Sequence, residues 1–185
     1  MDSVELAARS YGIAGRVIAG MRPEQLGQPT PCSEWDVRAL VNHIIGGHFY
    51  FTGALRGEEL DPHGTPPDFA ANDPVGAFGQ ASKGMLEAWR EPGALDRTVQ
   101  TLMGAMPASM LVSMHTMDNL VHAWDLAHAT GQDENLDPEL ATQMLGMVRQ
   151  ANLPRGEGSP FKPEQSAPSG ATPEQQLAAF LGRTV

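Results

Sequence analysis

Two imidazoles and two carboxylates recur at helical spacing between residues 115 and 125. If this segment is a helix, the four side chains fall within an arc of roughly 80°, since each residue advances about 100° around the axis. They are His115, Asp118, His122 and Asp125. Asp118 and His122 stand four residues apart, the spacing at which two side chains on successive turns reach one point, as paired histidines do in helical zinc motifs. A cation held by this pair needs at least one more ligand.

His43 is the candidate for that third ligand. On a predicted second helix it shares its face with Gly46 and Gly47, and a glycine inside a helix costs about 1 kcal/mol relative to alanine. Close approach by a neighbouring helix or a ligand is the usual compensation, so we expect a cavity beside His43. His48 lies roughly 140° around the same helix. We therefore expect it at the edge of the pocket or at the surface.

The helix that carries the four polar side chains has apolar residues on most of its sides, which indicates a central position in a bundle. A buried Asp or His must be hydrogen-bonded, paired or bound to a cation, because an unpaired buried charge costs several kcal/mol. A structural hydrogen-bond network, a metal site and a metal-free acid–base site all remain open on this basis. Asp125 is suited to hold the imidazole of His122 in one tautomer, as metal-bound histidines require.

Capping and breaking residues predict six helices with loops between them. Residues 98–101 could pair briefly as a strand. The second helix is expected to start with Ser33 as N-cap and Asp36 closing a capping box. The last helix is expected to end at Gly182 as C-cap. The expected helices run from residue 2 or 3 to about 19, from 33 to about 55, from 74 to about 89, from near 107 to 129, from 138 to about 152, and from 173 to 181.

Composition limits the function classes. The chain of 185 residues carries 12 Lys and Arg against 22 Asp and Glu, for a net charge of −10, which argues against a nucleic-acid surface. Its length suits one domain, residues 1–185. One cysteine, Cys32, excludes an internal disulfide framework and agrees with a reducing compartment. With no leader pattern and no long apolar run, we expect a cytoplasmic protein that binds no membrane.

Other motifs add no competing chemistry. The sequence has no phosphate loop, no GxSxG elbow and no GxGxxG turn. Cys32 precedes a helix start, where a lowered thiol pKa is conceivable, but ordinary burial in a loop is better supported. His63 lies in a Pro-, Asp- and Gly-rich loop and is expected to be solvated.

Three segments together resemble a known family. They are Pro-Cys-Ser-Glu-Trp-Asp-Val-Arg-Ala-Leu-Val-Asn-His at 31–43 followed by Gly46-Gly47, Asp-x3-His-Ala-Trp-Asp-Leu-Ala-x-Ala-Thr-Gly at 118–131, and Leu-x2-Phe-Leu-Gly-Arg at 177–183. The pattern is similar to an actinobacterial metal-binding family of the DinB/YfiT-like superfamily, which includes mycothiol-dependent maleylpyruvate isomerase.

This resemblance implies an all-α, DinB-like up-down-down-up four-helix bundle, here with additional short C-terminal helices. It also implies a divalent metal, zinc or nickel, in a cavity open to solvent. The ligand pattern of the superfamily corresponds to His43, Asp118 and His122. The isomerase pattern has a glutamate at the position of Asp118, so the shorter carboxylate could need His115 as a fourth or nearby helper.

The resemblance leaves the reaction open. The isomerase carries an extra C-terminal domain that this chain lacks, so its substrate is not inherited. Three ligands leave open positions on the metal, which is the catalytic pattern. We expect a metal-dependent transferase or isomerase that uses a thiol such as mycothiol on a small electrophilic substrate. The alternatives are a non-catalytic small-molecule binder and a metal-dependent hydrolase. The protein is expected to be a monomer or a homodimer.

Overall fold

Six α-helices and one antiparallel hairpin make up the α-helical and strand structure of the described residues in this computed structural model. The described residues are 2–58, 67–102, 104–151, 153–156 and 161–185. The expected loop position of His63 lies outside them. The elements are α1 (Ser3–Ala19), α2 (Val37–Arg56), α3 (Pro74–Trp89), β1 (Thr98–Thr101), β2 (Gly104–Pro107), α4 (Ala108–Thr130), α5 (Pro138–Gln150) and α6 (Pro173–Phe180).

Side-chain caps start most of these helices, as the sequence predicts. Asp2, Asp73, Asp137 and Thr172 each accept a hydrogen bond from a backbone N–H of the first turn. Each bond satisfies one of the amide groups that have no partner inside the helix. The predicted position of Gly182 is off by one residue, because Leu181 is the cap of α6 and Gly182 follows it with a φ of +94°.

The predicted start of α2 is wrong. Asp36, and not Ser33, is the N-cap, and its carboxylate accepts from the amide of Ala39 at 2.8 Å. The preceding residues are tied into the loop instead, since Asp36 pairs as an isolated bridge with Pro29 and the amide of Trp35 donates to the carbonyl of Cys32. These backbone bonds keep Asp36 extended, so the helix begins only after it.

Helices α1 to α4 form the bundle. Helix α4 packs against α1 and α2, and α3 packs against both of those helices, so the four close around one hydrophobic core. Helix α4 is buried on nearly every side along its length, which matches its all-round apolar pattern. The predicted all-α, DinB-like bundle with additional C-terminal helices is therefore confirmed. No helix of the described residues is long and apolar enough to cross a membrane.

The hairpin and the C-terminal helices flank this bundle. The predicted strand at Thr98–Thr101 is confirmed and pairs antiparallel with Gly104–Pro107. The hairpin reaches α2, because the amide of Leu102 donates to the Tyr50 hydroxyl at 2.7 Å. Helix α6 packs against α5 and α4. The chain that follows α6 thus lies beside the helix that bears the polar residues.

Candidate metal centre

The structure brings together one histidine of α2 and the Asp–His pair of α4. His43 Nε2 lies 3.5 Å from Asp118 Oδ2, and His122 Nε2 lies 3.3 Å from Asp118 Oδ1. One donor atom from each of these three residues lies within 4.8 Å of the other two. We call His43, Asp118 and His122 the triad.

The triad fits a small divalent cation. Two ligand atoms at about 2.1 Å from a tetrahedral zinc stand about 3.4 Å apart, close to the two separations that the triad shows. His43 Nε2 is buried and has no hydrogen-bond partner. A buried ring nitrogen without a partner is costly, and a cation between the three donors would remove that cost.

His122 is held in place from behind by a buried carboxylate. Its Nδ1–H donates to Asp125 Oδ2 at 3.0 Å, which leaves Nε2 facing Asp118. Asp125 is fully buried and also receives Arg183, with Nη2 at 3.0 Å from Oδ2 and Nε at 3.3 Å from Oδ1. An imidazole fixed through its second nitrogen is the usual arrangement behind a metal-binding histidine.

The charges around the triad favour a cation. Burial raises the pKa of Asp118, but the imidazoles of His122 and His43 outweigh it and hold that pKa well below its usual range. Burial likewise lowers the pKa of His122, yet Asp118 and Asp125 raise it to about 9. A proton therefore occupies His122 at neutral pH when no metal competes for it. Two ionised carboxylates around one imidazole attract positive charge, whether it comes as a proton or as a metal ion.

One side of the triad is open. The side chains of His43 and Asp118 are 36% and 35% exposed, whereas that of His122 is 6% exposed. A Cβ on Gly46 would meet nothing within 4 Å, so there is open space beside Gly46, one turn from His43. Trp35 forms a wall beside it, with its ring centroid 4.4 Å from that of His43 and 5.6 Å from that of His122.

The predicted position of His48 is wrong. It is fully buried, because its face of α2 packs on α1 and α3, with ring centroids 4.5 Å from Tyr11 and 5.1 Å from Phe78. Its Nδ1–H donates to the Ile44 carbonyl at 2.9 Å. Its Nε2 is buried and has no hydrogen-bond partner, so ring packing and one backbone hydrogen bond hold the imidazole inside at the cost of one unpaired nitrogen. Burial lowers the pKa of His48 to about 4.

His115 belongs to this interior region. Trp89 Nε1–H donates to the Tyr11 hydroxyl at 3.0 Å, and that hydroxyl lies 2.6 Å from His115 Nδ1. The tyrosine hydroxyl accepts from Trp89, and the direction of its bond with His115 follows the tautomer of that imidazole. The ring of His115 stands 4.6 Å from that of His48. Burial, with His48 adding to it, holds the pKa of His115 well below its usual range. We call Tyr11, His48 and His115 the buried histidine cluster.

A second group of possible ligands is less suitable for a metal. Cys32, His122 and Asp125 also bring three donor atoms within 4.8 Å. Both oxygens of Asp125 already receive Arg183, and His122 Nδ1 already donates to one of them. Burial raises the pKa of the Cys32 thiol, which agrees with the expectation of ordinary loop burial and disfavours the thiolate that a metal needs.

Two residues that support the site, Trp35 and Arg183, were not singled out by spacing. Trp35 precedes α2 and Arg183 follows α6, and each meets the site only after the bundle has closed. The only signal available was the presence of Trp35 and Arg183 inside the segments that carry the family resemblance.

Residues 13–127 match the family described as the mycothiol maleylpyruvate isomerase N-terminal domain. The match takes in more than half of the chain and all three residues of the triad. The chain belongs to this family. The predicted resemblance is thereby confirmed.

Two relatives match this chain over its whole length. An uncharacterized protein from each of two strains of Mycobacterium tuberculosis is 38% identical over 187 residues, and each match covers 100% of both chains. The crystal structure of the mycothiol-dependent maleylpyruvate isomerase superposes with a TM-score of 0.61 at 18% identity. That superposition covers 77% of this chain and 66% of the isomerase. The crystal structure of a mutant of the isomerase superposes with a TM-score of 0.61 at 17% identity. At such identity the likeness shows the fold alone.

Proposed function

We propose that the triad holds one divalent cation, zinc or nickel, and that this ion is the resident cofactor of the protein. The observation that carries the proposal is the buried Nε2 of His43, which makes no hydrogen bond and lies 3.5 Å from Asp118 Oδ2, while His122 Nε2 lies 3.3 Å from Oδ1 of the same carboxylate. His115 stays outside the ligand set, because the donor atoms that lie within 4.8 Å of one another come from His43, Asp118 and His122. Asp125 acts behind the ligands by orienting His122.

We further propose that the protein is a mycothiol-dependent transferase or isomerase acting on a small electrophile. Membership of the isomerase N-terminal domain family supports the thiol. A cation bound by three protein ligands supplies a Lewis acid that lowers the pKa of a coordinated thiol. Since His43 and Asp118 are each about one-third exposed, the thiol reaches the site from the solvent side.

The residues around the opening orient the reactants. The indole of Trp35 covers the imidazoles of His43 and His122 and keeps water from that flank. Gly46 leaves room on α2, one turn from His43, for a small substrate. The electrophile lies over this glycine, next to the exposed edge of Asp118.

Residues 1–185 act in this proposal as one domain, as a monomer or homodimer in the cytoplasm. A reducing compartment suits the one thiol of the chain, Cys32, whose raised pKa keeps it protonated. The protein needs no macromolecular partner in this scheme, because both reactants are small molecules.

The deciding experiment measures metal content first and thiol consumption second. Protein purified without chelator should carry close to one equivalent of zinc or nickel, and Asp118→Asn should carry far less, because a neutral amide is a poor ligand. The metal-loaded protein should then consume mycothiol with a panel of small electrophiles. Turnover without any thiol would instead identify a hydrolase. Binding of the small molecule without turnover would identify a binding protein. Absence of metal from the wild type would mean that these side chains form a structural hydrogen-bond network.

A further inference from the structure

The chain beyond α6 reaches back to the metal-binding turn of α4. Arg183 is 7% exposed and makes a two-point contact with Asp125, with Nη2 at 3.0 Å from Oδ2 and Nε at 3.3 Å from Oδ1. Its Nη1 donates to the carbonyl of Leu181 at 3.2 Å. All three guanidinium nitrogens of a buried arginine are therefore engaged, and the planar fork fixes the orientation of the carboxylate it meets.

A glycine turn directs Arg183 to this position. Gly182 has a φ of +94°, which other residues rarely adopt. A Cβ on Gly182 would stand 2.6 Å from the Cβ of Lys162 and 3.1 Å from its backbone. The amide of Arg183 then donates to the Ala178 carbonyl at 3.0 Å. The reversal of the chain after α6 is thus built so that residue 183 turns inward.

The carboxylate that Arg183 fixes is the one that orients His122. Asp125 Oδ2 accepts both from Arg183 Nη2 and from His122 Nδ1–H, each at 3.0 Å. A carboxylate that is fixed in position holds an imidazole more firmly than one free to turn.

We propose that Arg183 is a positioning residue for the metal site: through Asp125 it sets the orientation of His122, so the C-terminal segment completes a site whose ligands all lie in α2 and α4. This inference rests on the proposed metal binding at the triad. It assigns a function to a residue outside the range 13–127 that defines the family match. Arg183 touches neither substrate nor metal, and it acts only through the carboxylate.

The test compares zinc affinity in the full-length chain, by competition with a chromophoric chelator, for wild type, Arg183→Ala, Arg183→Lys and Arg155→Ala. Arg155 is the matched control. It also ties down the C-terminal segment, donating to the carbonyls of Phe180 at 2.7 Å and Lys162 at 2.9 Å. Loss of an outer partner typically weakens metal binding about 10- to 100-fold. We expect a loss of about 10-fold or more in Arg183→Ala, a smaller loss in Arg183→Lys, and wild-type affinity in Arg155→Ala.

A double-mutant cycle with Asp125→Asn shows whether Arg183 acts through the carboxylate. The double variant should bind zinc no more weakly than the worse single variant, because both changes interrupt one chain of contacts. Equal affinity of wild type and Arg183→Ala would overturn the inference, and so would additive losses in the cycle. If Arg183→Ala does not fold, the zinc affinity of Arg183→Lys tests the inference instead. Lysine keeps the positive charge but loses the planar two-point contact with the carboxylate. A wild type that binds no zinc would overturn the proposed function itself. That result is distinct from equal affinities and from additive losses, which overturn only the role of Arg183.

Discussion

The triad and the buried histidine cluster each take one histidine from α2 and one from α4, and their surroundings give those histidines opposite properties. In the triad, carboxylates raise the pKa of His122 to about 9. In the buried histidine cluster, burial lowers the pKa of His48 to about 4. Carboxylates flank only the first group closely, and only the first opens to solvent. Neighbouring carboxylates therefore make a histidine suited to a cation, whereas a histidine without them packs as an aromatic ring.

The largest expected effect is the loss of metal from His122→Ala. Two ligands are too few for a tightly held divalent ion, so metal content measured by elemental analysis should fall far below one equivalent. The loss of zinc affinity should exceed the roughly 10- to 100-fold that removal of an outer partner costs. The melting temperature should also stop responding to added zinc.

His128→Ala is the matched control for that change. His128 lies on α4 as well, but it is 47% exposed at its side chain and pairs with Glu134. It should keep the full metal content. Equal retention of metal in both variants would refute the triad as the site.

The next effect is the acid sensitivity that His48 gives to the metal-free protein. The pKa of His48 is 6.5 in the unfolded chain and about 4 in the folded chain, so the unfolded chain takes up this proton at a higher pH. The unfolded state therefore gains protons first, and stability falls as pH drops from 6.5 towards 4, by about 3 kcal/mol from this group. Urea unfolding across this range, in the presence of EDTA, measures the loss.

His48→Asn isolates that contribution. Its side-chain amide can still donate to the Ile44 carbonyl, but it does not titrate. The variant should lose less stability than the wild type over the same pH range. Parallel curves for the two proteins would show that His48 is not held neutral in the fold.

A smaller effect is expected from Tyr11→Phe. The change removes the hydroxyl between Trp89 and His115 and leaves their buried nitrogens without partners. The free energy of unfolding should fall by about 1 to 3 kcal/mol, while zinc affinity stays at the wild-type value. A fall in zinc affinity without a fall in stability would instead assign His115 to the metal, as a fourth ligand.

The smallest effect concerns the glycine face of α2. A methyl group on Gly46 meets nothing within 4 Å, so Gly46→Ala should raise stability by up to about 1 kcal/mol through helix propensity. Metal content should be unchanged. If the substrate lies over this face, KM should rise, and Gly79→Ala on α3, which also meets open space, should give similar stability with normal KM. An unchanged KM in Gly46→Ala would place the substrate elsewhere.

Local signals in the sequence were enough for most of the fold. An aspartate followed by proline predicted the starts of α3 and α5 at Pro74 and Pro138, and the structure has them there. The all-round apolar pattern of the longest helix predicted its central place. The start of α2 was mispredicted because Ser33 and Asp36 are both good caps, and the choice between them depends on loop hydrogen bonds to residues 26–29.

Spacing predicted part of the site. The four-residue separation of Asp118 and His122 and the glycines beside His43 selected the three side chains that the bundle brings together. Helical position alone could not separate His115 from them, since its partner Tyr11 comes from α1. It also could not predict that His48 is buried, because that depends on Phe78 of α3. Contacts between distant parts of the chain decide both cases.

The position of Trp35 gives the site its own optical reporter. Its ring lies 4.4 Å from that of His43, whereas the other two tryptophans, Trp89 and Trp124, are buried away from solvent. An open-shell ion such as Ni²⁺ at the triad would quench the fluorescence of Trp35 at this short range, while Zn²⁺, with its filled d shell, would leave the emission bright. Titration of the unlabelled protein can thus reveal which ion has entered, and how fast one replaces the other.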